Sequence, residues 1–499
     1  MICWMETVEG EKKGIKIYFV ILCKLITSME MFDLGIIGGG PGGYVAAERA
    51  AAAGLSVILF EKNSLGGVCL NEGCIPTKTL LYSAKLYDYA RHSDKYGITT
   101  EGAAMDYAKV LKRKEKTIRK LVGGVKLAMK NGNVTVVNAA ATIKGANPDG
   151  TLAITVPSEE NGQPAVQEHT VKDLLICTGS EASVPPIKGL KEAGDIICTN
   201  REILNLQEPP KGLIIIGGGV IGMEFASFFN SAGTAVTVIE MLPKILGPMD
   251  AEISAKLLKQ YEKKGVTFKL SCKVTEIQGN TVCYEDSEGQ PQTASADKIL
   301  VSVGRRACLA GFGLETLNPE MLLNKAGKPV GIKVNSQMQT SVPHVYAAGD
   351  VTGFSMLAHT ASREGEVAVN TILGHSDAMS YSAIPGVVYT NPEVAGVGLT
   401  EDEAAARGLD FTVARLPMAY SGRFVAENEL GEGLCKLIID RKDNTVAGAH
   451  LLGNPCSEII QSLCIAIEQK LTVDQLKKVV FPHPTVGEIV KETLFSISD

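Results

Sequence analysis

The spacing of apolar runs and glycines near the start of the chain predicts a strand, a turn, a helix and a second strand. Residues 32–37 are apolar and suit a short buried strand, and glycine dominates positions 38–43. An alanine-rich helix follows and is expected to end near Gly54. Residues 56–60 form the next predicted strand, with Glu61 at its end. This order is typical of the βαβ unit that binds the phosphates of a dinucleotide.

Three glycines and one acid give this first unit its expected chemistry. Gly38 permits the tight turn, Gly40 lets a pyrophosphate approach the backbone, and Gly43 allows close packing of the helix. Glu61 stands where it can accept hydrogen bonds from a ribose. A glycine motif alone is a weak signal. The flanking strands and an acid 23 residues after Gly38 make a dinucleotide site the expected function.

The same pattern occurs a second time further along the chain. A strand at 213–216, a helix at 223–231 and a strand at 235–239 repeat the first unit. The matching glycines and terminal acid are Gly217, Gly219, Gly222 and Glu240. The first glycine and the acid are both shifted by 179 positions (217 minus 38, and 240 minus 61). Two dinucleotide sites in one chain indicate an enzyme that passes electrons between two cofactors.

Glu240 also bears on the choice of coenzyme. Its carboxylate can hydrogen-bond two ribose hydroxyls but would repel a 2′-phosphate. No arginine occurs between Glu240 and Ala255 to offset that repulsion. The second unit therefore predicts NAD rather than NADP.

Further strands are predicted around these units. Residues 134–143 and 152–156 suggest antiparallel strands separated by a turn at 145–150, and buried strands at 173–176 and 298–303 end near Gly179 and Gly304. From about residue 381 the pattern changes to strands at 386–389, 411–415, 433–440 and 445–451, followed by helices at 456–469 and 473–479. These last elements predict a compact α+β domain.

A strand at 344–347 is followed closely by Asp350. Its carboxylate is expected at the C-terminal end of a strand, where the ligands of open α/β sheets bind, and it suits a ribityl hydroxyl. The alternative, that Asp350 caps the next helix, stays open.

Composition indicates a globular protein of about three domains. The 499 residues are 45% hydrophobic and 21% charged, with a net charge of −6, which gives no reason to expect nucleic acid or an anionic membrane as a partner. Twelve cysteines lie mostly in apolar runs, which favours reduced thiols in a cytosol-like compartment. The apolar stretch at 15–26 carries two lysines and suits neither a membrane anchor nor a signal peptide. Residues 1–30 are expected to be an extension outside the fold.

Cys69 and Cys74 carry the most distinctive candidate chemistry. They lie five positions apart, soon after the first dinucleotide motif, at the start of a segment that is predicted to be helical. The spacing lets two thiols meet in a first helical turn, as in a redox-active pair. A zinc site would need two more nearby Cys or His ligands, and none occurs in the fifteen residues after Cys74. Two unrelated buried thiols stay an alternative.

His483 and Glu488 form a second candidate group near the end of the chain. They lie five residues apart around Pro484, and a histidine held by a carboxylate can act as an acid/base pair. A structural histidine stays the alternative on local sequence alone.

Taken together, the motifs resemble those of the dihydrolipoamide dehydrogenases, within the pyridine nucleotide-disulfide oxidoreductases. The motifs are GGPGGYVAA, GGVCLNEGCIPTK, GGGVIGME, AAGD and HPT followed by Glu, in that order, and the resemblance covers residues 31–499. It implies an α/β fold with two Rossmann-like domains, for FAD and NAD, and a C-terminal α+β dimerisation domain. The expected boundaries are 1–30 for the extension, 31–183 and 308–382 for the FAD-binding domain, 184–307 for the NAD-binding domain and 383–499 for the interface domain.

The resemblance also implies a role for each site residue. FAD is expected against Gly38, Gly40, Gly43, Glu61, Lys78, Gly179 and Asp350, and NAD against Gly217, Gly219, Gly222, Glu240 and Gly304; no metal is expected. Cys74 would face the flavin while Cys69 exchanges with a dithiol. Lys78 would lie near flavin N5, paired with Glu224. His483, oriented by Glu488, would act as a base on the disulfide of the other subunit.

The implied activity is oxidation of protein-bound dihydrolipoamide to lipoamide with reduction of NAD⁺. The expected partners are a second copy of the chain and the lipoyl-bearing proteins of 2-oxo acid dehydrogenase or glycine cleavage systems, in the cytoplasm, with neither nucleic acid nor membrane. A glutathione-reductase-like enzyme is an alternative that Glu240 argues against. A mercuric-reductase-like enzyme has a C-terminal cysteine pair, which residues 494–499 lack. A flavoprotein scaffold is the third alternative, and retention of the whole residue set argues against it.

Overall fold

The computed structural model describes residues 31–160, 162–429 and 431–497. The expected extension at 1–30 therefore lies outside the described residues. Within the part that is described, no helix is both long and apolar enough to cross a lipid bilayer.

The described strands, labelled in chain order, fall into a mixed seven-stranded sheet, a parallel five-stranded sheet and four further sheets. They are β1 Met31–Ile37, β2 Val57–Phe60, β3 Thr135–Val137, β4 Thr142–Ala146, β5 Leu152–Glu160, β6 Gln163–Ile176, β7 Ser180–Ala182, β8 Ile197–Cys198, β9 Gly212–Ile216, β10 Ala235–Ile239, β11 Thr267–Lys269, β12 Lys273–Gln278, β13 Thr281–Glu285, β14 Pro291–Ser295, β15 Lys298–Val301, β16 Arg305–Ala307, β17 Met321–Leu323, β18 Pro329–Ile332, β19 Val345–Ala347, β20 Gly386–Val388, β21 Val394–Gly398, β22 Phe411–Pro417, β23 Leu434–Asp440 and β24 Thr445–Leu452.

The helices vary from single turns to a rod of 25 residues. They are α1 Pro41–Ala52, α2 Gly67–Asn71, α3 Cys74–Arg91, α4 Tyr107–Asn131, α5 Asn200–Ile203, α6 Val220–Ser231, α7 Ala251–Lys263, α8 Ala358–Ile372, α9 Glu401–Ala406, α10 Gly422–Glu427, α11 Cys456–Glu468, α12 Val473–Lys477 and α13 Glu488–Phe495. Short 3₁₀ turns occur at Ser93–Tyr96, Gly194–Ile196, Leu314–Thr316, Asp350–Thr352 and Met418–Tyr420.

The two predicted βαβ units are confirmed and have the same layout. In the first, β1 pairs in parallel with β2 on one side and β6 on the other, and α1 connects β1 to β2. In the second, β9 pairs in parallel with β10 and β15, and α6 connects β9 to β10. The central strands are almost completely buried, because a parallel sheet covered on both faces needs continuous apolar runs.

Strand β6 is much longer than the predicted segment at 173–176. Its first part pairs antiparallel with β5, from Glu160 opposite Gln163 to Leu152 opposite Val171. Its last part pairs in parallel with β1 and β19. The sequence conceals the first part because residues 163–169 are mostly exposed and polar, whereas residues 174–176 form a continuous buried run. The predicted antiparallel excursion is confirmed for β4 and β5, and β4 extends through Gly145 into the expected turn. The predicted strand at 134–143 is wrong in its first part, because β3 is separate and pairs in parallel with β2.

The C-terminal segment is the α+β structure that the sequence predicts. Its five-stranded antiparallel sheet has the order β20-β21-β24-β23-β22. Helices α11 and α13 pack against this sheet through apolar residues such as Ile460, Leu463 and Ile489. Strand β21 was not predicted, because its two glycines interrupt the apolar pattern.

Residue contacts divide the chain into two compact units. Unit 1 contains the chain up to Leu65, Val125–Gly179 and Ala307–Ala378. Unit 2 contains Gly66–Gly124, Ser180–Arg306 and Met379–Asp499. The first dinucleotide motif thus lies in unit 1, and the cysteine motif, the second dinucleotide motif and the His-Pro-Thr segment lie in unit 2. The four domain segments expected from the sequence stay a prediction.

Candidate redox and nucleotide-binding sites

Both glycine-rich turns have a backbone that only glycine accommodates. Gly38 has φ +108° and Gly217 has φ +106°, in the left-handed region that other residues rarely adopt. A Cβ atom on Gly43 would lie 1.9 Å from the carbonyl oxygen of Gly38, and one on Gly222 would lie 2.1 Å from that of Gly217. The third glycine of each motif is therefore required for close packing of helix on strand.

The helix that follows each turn begins without a side-chain cap. Gly40 precedes α1 and Gly219 precedes α6, and neither helix has a side-chain hydrogen bond at its N-cap. The first amide groups of each helix have no intrahelical acceptor, and the helix dipole makes this end positive. Each turn therefore fits a pyrophosphate, as an FAD site in unit 1 and an NAD site in unit 2 require.

The glutamate at the end of the second strand of each βαβ unit stabilises the glycine-rich turn of that unit. Glu61 accepts hydrogen bonds from the N–H groups of Gly39 at 2.8 Å and Asn63 at 2.7 Å. Glu240 accepts them from Gly218 at 2.6 Å and from a residue two positions beyond itself at 2.7 Å. Each pair of contacts is again related by the shift of 179. The carboxylates thus have a structural role that the sequence did not reveal, and their contact with ribose stays a prediction.

Three other predicted nucleotide residues lie at the ends of buried strands. Gly179 has φ +70° and follows β6, and Gly304 has φ +103° and follows β15. Asp350 begins a 3₁₀ turn after Gly349. The alternative that Asp350 caps a helix is wrong, because the N-cap of that turn is Gly349 and the N-cap of α8 is Leu357. Binding of FAD by Asp350 stays a prediction.

Cys69 and Cys74 are brought together by two consecutive helices. Cys69 lies in the short helix α2, and Cys74 is the first residue of α3. Their sulfurs are within hydrogen-bonding reach, and both residues are partly buried. Two unrelated thiols would not be expected to meet in this way.

The environments of the two sulfurs differ. The Cys69 thiol donates a hydrogen bond to the Cys74 sulfur and Lys78 adds positive charge, which together lower the pKa of Cys74 to about 7 even though burial opposes the shift. Donation of its proton to Cys74, together with burial, raises the pKa of Cys69. In the dithiol form, Cys74 is therefore the sulfur that carries negative charge first.

Lys78 and Glu224 form a bidentate ion pair next to the cysteines. The Lys78 Nζ lies 2.9 Å from both carboxylate oxygens of Glu224, which is 3% exposed. Burial opposes the charge on Lys78, but the Glu224 carboxylate outweighs it and raises the pKa of Lys78. Lys78 is therefore held as a cation.

Tyr389 completes this group, and the sequence did not predict it. Its backbone N–H donates to Glu224 Oε1 at 3.0 Å, and its ring lies under the Lys78 Nζ at 4.6 Å from the centroid. No motif marks this residue, because its contribution comes from a backbone group and an aromatic face supplied more than 160 positions away.

His483 and Glu488 form the predicted dyad. The His483 Nδ1 lies 3.0 Å from Glu488 Oε1, and the Thr485 N–H donates to Glu488 Oε2 at 2.9 Å. Both contacts lower the pKa of Glu488, and the hydrogen bond from the Thr485 N–H has the larger effect. The ring's Nε2 is directed away from the carboxylate, and the side chain is 80% exposed.

The predicted catalytic residues thus form two groups in unit 2. Cys69, Cys74, Lys78 and Glu224 make one group, and His483 with Glu488 makes the other. No hydrogen bond or ion pair joins the two groups within the described residues. The same part of the chain contains no cluster of three His, Cys, Asp or Glu side chains that could hold a metal ion.

Comparison with known proteins defines the class. Residues 32–365 match the pyridine nucleotide-disulphide oxidoreductase family, and residues 384–494 match the dimerisation domain of the same family. The chain belongs to the pyridine nucleotide-disulphide oxidoreductases. The matched dimerisation domain supports a homodimer.

Individual relatives narrow the comparison. The chain is 39% identical over 462 residues to dihydrolipoyl dehydrogenase of Geobacillus stearothermophilus, which covers 92% of this chain and 94% of that protein. It is 37% identical over 467 residues to dihydrolipoyl dehydrogenase of Bacillus subtilis, covering 92% and 97%. The resemblance inferred from the motifs is therefore confirmed. FAD and NAD are the cofactors of this oxidoreductase, in agreement with the two glycine-rich turns, each of which can accommodate a pyrophosphate.

Solved structures agree on the fold. The crystal structure of LpdA from Mycobacterium tuberculosis matches with a TM-score of 0.83 at 23% identity, covering 93% of this chain and 99% of that one. The HOCl-induced flavoprotein disulfide reductase RclA from Escherichia coli matches with a TM-score of 0.79 at 26% identity, covering 93% and 100%. The predicted fold class is confirmed.

Proposed function

We propose that this protein oxidises protein-bound dihydrolipoamide to lipoamide and reduces NAD⁺ to NADH. The observation that carries the proposal is the group formed by Cys69, Cys74, Lys78 and Glu224, in a chain whose relatives over more than nine-tenths of its length are named dihydrolipoyl dehydrogenase. Two adjacent thiols of unequal acidity are suited to exchange with a dithiol, because the more acidic thiol is the better leaving group.

The first step is proton removal followed by attack on a disulfide. His483 accepts a proton from one dihydrolipoyl thiol at Nε2, while Glu488 holds Nδ1. The substrate thiolate attacks the Cys69 sulfur, so that a mixed disulfide forms and the Cys69–Cys74 bond breaks. Cys74 leaves as a thiolate, a good leaving group because its pKa is lowered to about 7.

The second step releases the product. The remaining dihydrolipoyl thiol, deprotonated in turn, attacks the substrate sulfur of the mixed disulfide and closes the lipoamide ring. Cys69 departs with the bonding electrons and is protonated. The substrate has lost two electrons and two protons, and the cysteine pair has gained the two electrons.

Bound FAD supplies the two-electron relay from the reduced cysteine pair to NAD⁺. The chain's own contribution is to keep Cys74 anionic and Lys78 cationic, with Glu224 fixed by the Tyr389 N–H. The burial of Glu224 strengthens its attraction to Lys78, because the carboxylate is in a medium of lower dielectric constant than water. His483 is proposed to act on the disulfide of the partner subunit, which its exposure and the family's dimerisation domain support.

We assign nucleotide binding to the two glycine-rich turns and to the ends of the adjacent strands. FAD takes the turn with Gly38, and NAD takes the turn with Gly217, within domains bounded as the sequence predicts. Glu240 at the end of β10 selects NAD over NADP by repelling a 2′-phosphate. Its fixed position at the turn supports this choice.

Lipoyl-bearing proteins are the proposed substrates, either the acyltransferase core of a 2-oxo acid dehydrogenase or the carrier protein of a glycine cleavage system. The names of the relatives support this partner class. A cytoplasmic location is proposed with it. Six of the ten cysteines within the described residues are buried, which is consistent with a reducing compartment.

Two measurements test the proposal. Steady-state rates with dihydrolipoamide and NAD⁺ should far exceed those with glutathione disulfide and NADPH, and the reverse order would assign a glutathione-reductase-like function instead. Cys74→Ser should retain FAD, measured by its absorbance, and lose dithiol oxidation. Turnover by that variant would refute the role of the cysteine pair, and failure of the unmodified protein to oxidise any dithiol would favour a scaffold.

A further inference from the structure

Helix α4 carries a concentration of positive charge that neither the fold nor the redox site accounts for. Residues 107–124 contain seven Lys or Arg and a single acid, Glu115, in a chain with a net charge of −6. The mean composition therefore hides a strongly basic segment. Because this segment lies in unit 2, it belongs to the same unit as the cysteine pair.

Three of these cations are already engaged. Lys109 pairs with Asp106 at 2.9 Å. The Arg113 Nη1 donates to the carbonyl oxygen of Thr79 at 2.8 Å. Lys114 is 3% exposed, and its Nζ donates to the carbonyl oxygen of a residue near the end of α5. These contacts account for less than half of the charge.

The other four cations form what we call the basic stripe, namely Lys112, Lys116, Arg119 and Lys120. All four are exposed, and within the described residues none has an ion pair. At 3.6 residues per turn they lie within about 100° of one another, on the side opposite the buried Lys114. The stripe is a continuous positive face.

A face that is merely solvated usually alternates its charges. Here Lys116 lies three or four positions from each of Lys112, Arg119 and Lys120, and like charges at this spacing disfavour the helix. Glu115 borders the stripe, three positions after Lys112 and four before Arg119, but within the described residues it forms an ion pair with neither. An arrangement that weakens its own helix fits a surface that is neutralised by something else.

The stripe is physically connected to the redox helix. Arg113 joins α4 to Thr79 on α3, and Thr79 lies five residues after Cys74, about 7 Å along the helix axis. A molecule bound to the basic stripe therefore lies beside α3, the helix that begins with the redox cysteine Cys74.

We propose that the basic stripe is the docking surface for an acidic face of the lipoyl-bearing protein. The inference rests on the proposed function and adds to it how the protein substrate, rather than free dihydrolipoamide, is captured. Charge complementarity raises the encounter rate of such partners and is weakened by salt. An acidic lipoyl-bearing protein would thus be concentrated near the cysteine pair.

The test uses the FAD-bound protein with all four stripe residues changed to Gln. A matched control carries Lys256→Gln, Lys259→Gln, Lys325→Gln and Lys328→Gln, four exposed lysines elsewhere with the same change in net charge. The substrates are free dihydrolipoamide and the dihydrolipoylated lipoyl domain of an acyltransferase. Rates are measured at about 0.05 M and 0.5 M NaCl, because a change in salt screens surface charge.

The stripe variant should lose on the order of tenfold in kcat/KM with the lipoyl domain at low salt, with the loss shrinking at high salt. Its kcat/KM with free dihydrolipoamide should match that of the unmodified protein, and the control should match it with both substrates. Equal losses in control and stripe variant, or no loss with the lipoyl domain, would overturn the docking role.

Two further outcomes are distinguished by the same proteins. If the stripe variant loses binding to heparin or to phosphatidylglycerol vesicles while its kcat/KM with the lipoyl domain is unchanged, the stripe serves a polyanion or a membrane and the proposal is wrong. If the unmodified protein does not oxidise free dihydrolipoamide, the proposed function itself fails, independently of the stripe.

Discussion

The acidity of Cys74 depends on its neighbour Cys69, and this dependence can be measured with two substitutions. Cys69→Ala removes the thiol that donates to the Cys74 sulfur, whereas Cys69→Ser leaves a hydroxyl donor at the same position. Burial raises the pKa of Cys74. In the alanine variant the positive charge of Lys78 still lowers that pKa, but its effect is smaller than that of the Cys69 donor. The alanine variant should therefore have a higher Cys74 pKa than the serine variant.

The size of the effect follows from the proton equilibrium. With a pKa of about 7, roughly half of Cys74 is thiolate at neutral pH. Were the pKa to return to the ordinary 9.0, about 1% would be thiolate at the same pH. The rate of Cys74 alkylation at neutral pH should thus fall by up to about 50-fold in the alanine variant, and only a few-fold in the serine variant.

The assay is a short pulse of iodoacetamide between about pH 5 and 10, read by mass spectrometry of the peptide that contains Cys74. The partly exposed Cys283 on β13 serves as an internal reference. The unmodified protein, reduced beforehand, should give a midpoint near 7 and the alanine variant one at least a unit higher. Identical midpoints for the alanine and serine variants would refute the reasoning, because the Cys69 donor would then not control the acidity of Cys74.

Three other perturbations have definite expected outcomes. Glu224→Ala leaves the partly buried Lys78 without its carboxylate and should lower the free energy of unfolding by about 2 kcal/mol, measured by denaturant unfolding. Gly222→Ala places a Cβ atom 2.1 Å from a turn carbonyl, so the KM for NAD⁺ should rise at least tenfold while bound FAD is retained. Glu488→Gln loses the charge that orients His483 and should lower kcat with dihydrolipoamide on the order of tenfold.

Each of these has a control and a result that would contradict it. Glu320→Ala removes an exposed carboxylate that pairs with Lys333 outside the redox group, and an equal loss of stability would show that the Glu224 pair contributes no more than a surface ion pair. Loss of FAD in place of NAD affinity would contradict the assignment of Gly222. A pH profile of kcat unchanged in shape and height in Glu488→Gln would show that the dyad takes no part in proton transfer.

Much of the fold was predictable because its signals are local. A glycine with positive φ and a helix that begins at a glycine are needed wherever a phosphate approaches the backbone, so the two motifs appear in the sequence at an offset of 179. The continuous apolar runs of β1 and β9 identify buried parallel strands for the same reason. The pairing of His483 with Glu488 spans only five residues and was also predictable.

Other elements gave no such signal. Strand β6 continues for 14 residues because β5 supplies a partner for its polar half, which is a pairing and not a local preference. The 25-residue helix α4 gives only a weak apolar pattern in the sequence, because most of its positions are exposed and many are polar. Only the last part of β6, at 173–176, has a local signal in the sequence.

The sequence by itself determined the two dinucleotide motifs, the five-residue spacing of the cysteines and, through resemblance, the class of oxidoreductase. Only the tertiary structure decided how the charges around Cys74 are arranged. Lys78 meets Glu224 across 146 positions, and Tyr389 reaches the same carboxylate across 165. The acidity of a thiol is set by whatever charge and hydrogen-bond donors folding brings to it, and those neighbours are distant in the chain.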